Sequence, residues 1–290
     1  MKASVKSLVP IVVVIIATGI FITWKFTGRT KQVLESNKAQ VYENKNSHLV
    51  PSKGDKAVQD LKGGPEVLPS PPEQKQTSSQ VFYNSKSRNL KQIALTFDDG
   101  PDAYYTPQIL DILKQYNIKA TFFIIGVRAQ AHPEIVHRIF AEGHSIGNHS
   151  WDHPVLTKMQ ADKVKEEVDK TEQEIYKITG IKTAMFRPPY GSLTSEQVND
   201  ISAMGYNIID WSVDTRDWAK TPVPQILKFV SKEVYPGGII LQHCAGGKNE
   251  DLSNTIKALP QIINLLEKQG YSFVPVQDIL GIPSIKTQTN

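Results

Sequence analysis

Residues 92–126 read QIALTFDDGPDAYYTPQILDILKQYNIKATFFIIG, and the fold turns on this stretch. Gln92–Phe97 is an apolar run of strand length, stopped by the turn chemistry of Asp98-Asp99-Gly100-Pro101. Thr106–Asn117 then carries Ile109, Leu110 and Leu113 at the spacing of one helix face. Ala120–Gly126 returns to an apolar strand. A strand, a helix and a second strand within so short a span predict two parallel strands joined by a helical crossover.

The alternation continues towards the C-terminus. Strand-like runs recur at 144–149, 184–188, 206–214, 238–243 and 271–276. Helical patterns recur at 133–143, 162–180, 195–205, 223–234 and 255–270, several of them ending in Gly. Seven strands and six helices predict an α/β fold, most economically a distorted (β/α)7 barrel of TIM-like form. An open doubly wound sheet is the alternative, but no Gly-rich phosphate loop supports a nucleotide-binding version of it.

The 290 residues hold one catalytic domain and an addition. The addition is N-terminal. Lys2 and Lys6 precede the uncharged stretch Ser7–Trp24, and Lys25, Arg29 and Lys31 follow it. That length is short for a membrane span and long for a cleaved signal sequence. Residues 1–27 are read as a signal-anchor, with a signal peptide cleaved near Ala17-Thr18-Gly19 as the alternative. Residues 28–88 are rich in Lys, Gln, Ser, Asn and Pro, with no sustained period, and read as a polar stalk. The catalytic domain is expected over 89–283, with a tail at 284–290.

Charge follows the same division. Residues 1–90 carry 13 Lys/Arg against 6 Asp/Glu, a net +7, which leaves 20 against 23, a net −3, for the remainder. A basic tail suits an anionic membrane or wall surface. The absence of a basic-aromatic cluster argues against nucleic acid. The lone cysteine, Cys244, excludes an internal disulfide and a Cys-based zinc cluster, and reads as a small buried residue. Any metal site must draw on His, Asp or Glu.

Five of the first six strand candidates run into ionisable groups. They lead to Asp98-Asp99, His149 with His153, Arg187, Asp214 to Asp217, and His243. In a parallel barrel these ends share one rim, where catalytic groups collect. Adjacent carboxylates at a strand end diverge, so one of Asp98 and Asp99 can bind a metal while the other faces a reacting water; a simple turn is the other reading. His149 and His153 reach one ion if the segment between them curls, and two His with one Asp form an open catalytic zinc set. Arg187, stiffened by Pro188 and Pro189, can hold a carboxylate or make an ordinary salt bridge. His243 reads equally as a general acid or a core histidine. Asp217-Trp218 is a weak signal alone. His132, His137 and His144 read as structural.

Together these residues resemble the polysaccharide deacetylases of carbohydrate esterase family 4, which act on chitin, chitooligosaccharides, peptidoglycan and acetylxylan. The resemblance covers about residues 91–280 and rests on five motifs in order: Thr96–Gly100, His149–His153, Arg187–Tyr190, Asp214–Trp218 and Leu241–His243. It implies a divalent metal, Zn2+ first and Co2+ as a substitute, held by Asp99, His149 and His153. It implies Asp98 as general base oriented by Arg187, and His243 as general acid tethered by Asp217. The Tyr190 backbone N–H would help hold the oxyanion, and Trp218 and Leu241 would wall the acetyl pocket. Muramic-type members often carry Asn at the second acid of the first motif; Asp99 is intact here. The implied substrate is a cell-wall polysaccharide, most specifically N-acetylglucosamine of peptidoglycan, with the protein on the outer face of the cytoplasmic membrane, or secreted if the leader is cleaved. Protein partners are not indicated.

Overall fold

The computed structural model describes residues 80–247 and 250–287. The expected anchor (1–27) and nearly all of the expected stalk lie outside the described residues. Among the described residues no helix is long and apolar enough to cross a membrane.

Among the described residues nine strands form one sheet: β1 (Val81–Phe82), β2 (Gln92–Gly100), β3 (Thr121–Ile124), β4 (Ser145–Asn148), β5 (Met185–Phe186), β6 (Asn207–Ile209), β7 (Val213–Asp214), β8 (Gly238–His243) and β9 (Ser272–Phe273). Their order is β1-β6-β5-β4-β3-β2-β8-β7, with β9 beside β2. Every strand pair is parallel. The main helices are α1 (Tyr105–Gln115), α2 (Gly126–Ala131), α3 (Pro133–Ala141), α4 (Ala161–Thr179), α5 (Ser195–Ala203), α6 (Val223–Glu233), α7 (Ser253–Lys268) and α8 (Val276–Leu280).

The result is a curled, incompletely closed barrel rather than a regular one. The run expected as a single strand over 206–214 is two strands. β6 pairs with β5 and β7 pairs with β8, and Asp210–Ser212 carry the chain from one sheet edge to the other. Residues 81–85 lie along this seam. Val81 and Phe82 pair with Ile208 and Ile209, the Phe82 carbonyl accepts from Asp210 N–H at 2.8 Å, and Ser85 N–H donates to the Gly237 carbonyl at 2.8 Å. The stalk boundary at residue 88 is therefore too late: its last residues belong to the sheet. The tail boundary at 284 is too early, since Ile285 bridges Thr183 and Lys286 N–H donates to the Lys182 carbonyl. The strand expected over 271–276 stops at Phe273, because Pro275 opens α8.

The period of two along β2 divides the core. Ile93, Leu95 and Phe97 point outward against α1, α3 and α7, packing with Ile109, Leu113, Ile139 and Leu259. Ala94 points inward to Phe123, Met185, Ile209 and Ile239, closed from below by Val276 and Ile279 of α8. Each fully buried aliphatic or aromatic side chain of this kind contributes about 1.5–3 kcal/mol. Gly147 admits the Phe123 ring to the axis: a Cβ there would stand 2.4 Å from it. Above this apolar plug the inward positions of β2 are Thr96 and Asp98, so polar chemistry begins where the plug ends.

Candidate active site

Parallel register sets the frame. Asp98 lies level with His243 across the β2–β8 pair, and Asp214 lies level with Leu241 across β7–β8. Beyond these ends a cleft of about 670 Å3 opens on the C-terminal rim. Asp98, Asp99, His149, His153, Tyr190, Trp218, Leu241 and His243 all line it. The remaining two expected residues, Arg187 and Asp217, stand behind the lining and are buried. All ten thus converge.

The metal-type cluster joins the end of β2 to the loop after β4, both held in unusual backbone. Asp99, Ser150 and His153 have φ of 71°, 67° and 63°. Non-glycine residues adopt this left-handed region at a cost of about 1–2 kcal/mol each. Surrounding bonds offset it: Asn148 Oδ1 accepts from Ser150 N–H at 2.9 Å, and Glu167 Oε2 accepts from Trp151 and Asp152 N–H at 2.9 and 3.2 Å. The segment between the histidines is thereby curled, as the spacing required.

His149 Nε2 and His153 Nε2 approach Asp99 Oδ1 to 3.4 and 3.3 Å, and one ligand atom from each residue lies within 4.8 Å of the others. Asp99 Oδ1 is nonetheless buried without a hydrogen-bond partner. His149 Nδ1–H donates to the Arg187 carbonyl at 2.7 Å, which turns Nε2 towards Asp99; burial alone would lower the His149 pKa, but Asp98 and Asp99 raise it. Burial lowers the His153 pKa, with His149 adding to the effect, so its imidazole favours the neutral form a ligand needs. Burial alone would raise the Asp99 carboxyl, but the imidazoles of His149, His243 and His153 outweigh it and hold the group ionised. Three convergent ligand atoms, one of them a buried carboxylate oxygen without a hydrogen-bond partner, fit a divalent cation with open coordination positions.

Asp98 is fixed from behind. Arg187 is wholly buried and its Nη1 donates to Asp98 Oδ1 at 2.7 Å and to Thr96 Oγ1 at 2.8 Å. Nε and Nη2 donate to the Ile209 and Asp210 carbonyls at 3.1 and 3.0 Å, and the guanidinium lies 4.0 Å over the Phe123 ring. Asp98 Oδ2 remains 3.8 Å from His149 Nε2, facing the cluster.

His243 is fixed in the same manner. Its Nδ1–H donates to Asp217 Oδ1 at 2.8 Å and its backbone N–H to Asp217 Oδ2 at 2.9 Å. Trp218 N–H and Thr255 Oγ1–H complete the carboxylate at 3.0 and 2.9 Å. Burial alone would lower the His243 pKa, but Asp217, followed by Asp99 and Asp98, pushes it up to about 10. Burial likewise would raise Asp217, and His243 with the surrounding donors holds it lowered. Tyr190 has a left-handed backbone, φ 60°, and its ring stands edge-on to His153. Tyr190 and Trp218 are the exposed walls of the cleft.

The sequence reading gave no role to several contributors, although Thr96, Asp152 and Asp214 stand inside its motifs. Thr96 lies two residues before Asp98 on the same strand face, so the period of two pointed to it. Thr255 sits on α7 and carried no local signal. Trp211, at the break between β6 and β7, lines the cleft, as do Asp152, Asp214, Arg128 and Glu250. Cys244 and His144 are buried, as read; the Ala120 N–H donates to His144 Nδ1 at 3.1 Å.

A parallel α/β barrel whose rim joins a fixed carboxylate and a fixed imidazole to an acid–imidazole triad fits a hydrolytic site, with the triad as its candidate metal site. Comparison with known proteins narrows the class. The polysaccharide deacetylase family model matches residues 85–209. A peptidoglycan-N-acetylglucosamine deacetylase of Bacillus cereus is 42% identical over 186 residues, 64% of this chain and 67% of that protein. One from Listeria monocytogenes is 40% identical over 206 residues, 71% of this chain but only 42% of the relative's length. The crystal structure of a peptidoglycan N-acetylglucosamine deacetylase in complex with 4-naphthalen-1-yl-N-oxidanyl-benzamide superposes with a TM-score of 0.69 at 38% identity, covering 72% of this chain and 95% of that one. The chain belongs to the polysaccharide deacetylase family, and it is an enzyme of that kind.

Proposed function

We propose that the protein hydrolyses the N-acetyl groups of N-acetylglucosamine residues in cell-wall peptidoglycan and releases acetate. One observation carries the chemistry: Asp98, locked by Arg187, and His243, locked by Asp217, lie level on neighbouring strands beside the Asp99–His149–His153 cluster. The names of the relatives supply the sugar.

Asp99, His149 and His153 would hold the divalent cation, Zn2+ in first place and Co2+ as a substitute. When bound, it supplies Lewis acidity towards the acetyl carbonyl and the attacking water. Asp98 accepts the proton that water loses on attack, and Arg187 keeps its carboxylate aimed. The Tyr190 N–H donates to the charge that develops on the acetyl oxygen; one such donor is worth about 3–4 kcal/mol. His243 then protonates the departing nitrogen as the C–N bond breaks. Water contributes its hydroxyl to acetate and a proton to the amine, which becomes a cation at neutral pH. Trp218 and Leu241 wall the acetyl group. Residues 1–27 would tether the enzyme to the outer face of the cytoplasmic membrane, and residues 28–79 would give it reach into the wall.

The test is acetate release from purified peptidoglycan, with the deacetylated sugar identified by mass spectrometry. Chelation should abolish release and Zn2+ or Co2+ restore it. Full activity in metal-free protein refutes the metal role; release from chitooligosaccharide or acetylxylan but not peptidoglycan transfers the substrate; modified muramic acid moves the specificity to the other sugar.

A further inference from the structure

The cleft is acidic. Besides the catalytic carboxylates, Asp152, Asp214 and Glu250 line it, and among the described residues Arg128 is the single Lys or Arg side chain on its wall. Arg128 stands in the first turn of α2, half-buried. Its Nη2 donates to the Gly246 carbonyl at 2.9 Å, three residues beyond His243. No carboxylate of the described residues lies within 4.0 Å of it, in contrast to Arg187 and Arg138, which both hold acids. A guanidinium carries five donors, and the structure shows one of them taken.

A neutral sugar hydroxyl can accept from a guanidinium, but only a carboxylate meets both its permanent charge and its planar fork of donors. The surrounding acids also make a free cation here useful, because they would otherwise repel an anionic substrate. We propose that Arg128 is a specificity-determining residue that binds a carboxylate carried by the substrate next to the sugar being deacetylated. This rests on the deacetylase reading and refines it: the preferred substrate is an anionic glycan. The carboxylate has two sources in peptidoglycan, the lactyl ether of muramic acid when it is free, or the peptide stem when the lactyl group is amidated.

Three substrates given to the full-length zinc-loaded protein and to Arg128→Met separate the outcomes: a neutral chitooligosaccharide, a peptide-free glucosamine–muramic acid glycan, and the same glycan with its peptides. Arg128→Met should lose roughly tenfold or more in kcat/KM on a carboxylate-bearing glycan and little on the neutral one, and Arg128→Lys should recover part of the loss. Loss on the peptide-free glycan assigns the lactyl carboxylate; loss confined to the peptide-bearing one assigns the stem. Equal loss on all three, or none on any, overturns the proposal; the former leaves Arg128 as a clamp on the Gly246 loop. Calorimetric binding of the same glycans to metal-free wild type and Arg128→Met gives a readout apart from turnover. A wild type that releases no acetate refutes the deacetylase reading, while equal binding by both proteins refutes this one.

Discussion

Arg187→Met tests how the base is held. The guanidinium is fully buried and serves Asp98, Thr96 and the carbonyls of Ile209 and Asp210. Methionine fills much of the space but leaves the Asp98 carboxylate, 3% exposed, without its cation. Breaking a buried ion pair costs about 3–5 kcal/mol. Two carbonyls lose their donor as well, at about 1–3 kcal/mol each. Against a typical domain stability of roughly 5–15 kcal/mol, the single variant should stand near the edge of unfolding. Asp98→Asn removes the charge that Arg187 matches, so in that background Arg187→Met forfeits the carbonyl bonds but no longer strands an anion. Urea midpoints for the two single variants and the double variant, at unchanged m value, should give a coupling of about 3 kcal/mol. Additivity within about 0.5 kcal/mol, with Arg187→Met as stable as the parent, would refute the claim that this pair holds Asp98 in place.

Other perturbations separate the remaining roles. Asp99→Ala should lower bound metal and turnover together, whereas Asp98→Asn should keep its metal and lose roughly 10²–10⁴ in rate; metal analysis beside acetate assays reads both, and the opposite pattern reverses the two assignments. In metal-free protein the raised pKa of His243 contributes stability that is complete below about 6.5, the unfolded value, and is lost as pH rises through about 10. The lowered pKa of Asp217 contributes stability lost as pH falls below the ordinary carboxylate range. The stability advantage of the parent over Asp217→Asn should therefore shrink between pH 6.5 and pH 10 in denaturant titrations, and an advantage that grows across that range contradicts the pairing. A chain beginning at residue 89 lacks β1 and the half-buried Phe82, and should be about 2–3 kcal/mol less stable than one beginning at residue 80; equal melting would show that residues 81–85 only rest on the seam.

The rim was legible because chemistry and punctuation coincide there. Apolar runs of strand length end in Asp98, His149, Arg187 and His243, and a parallel sheet brings such ends to one side whatever the closure of the barrel. The closure itself was not legible. Residues 206–214 read as one strand because YNIIDWSVD places apolar residues along its whole length with no Gly or Pro to interrupt it; nothing local shows that Asp210–Ser212 cross from β6 to β7. β1 is two residues at the end of a polar segment, and it is a strand only because Ile208 and Ile209 offer it an edge. Thr255 was out of reach for a related reason: its partner Asp217 is 38 residues away, and a threonine on a helix face has no periodic signature. Long-range partners of this kind are set by packing rather than by local preference.

One residue joins the two halves of the proposed chemistry. The Arg187 side chain reaches across the barrel to the base on β2, while its own carbonyl accepts the Nδ1–H of His149. The guanidinium also draws on the carbonyls of Ile209 and Asp210, at the point where the sheet breaks, and Asp210 is the residue whose N–H donates to Phe82. Base, metal-type ligand and seam therefore share one anchor. Prolines 188 and 189 follow it directly and remove two backbone N–H groups while fixing φ, so this anchor has little freedom to drift. That arrangement explains why a wholly buried cation is tolerated above an apolar plug: its hydrogen bonds to Thr96, Asp98 and two carbonyls are satisfied, and together they tie the end of β2 to the end of β6.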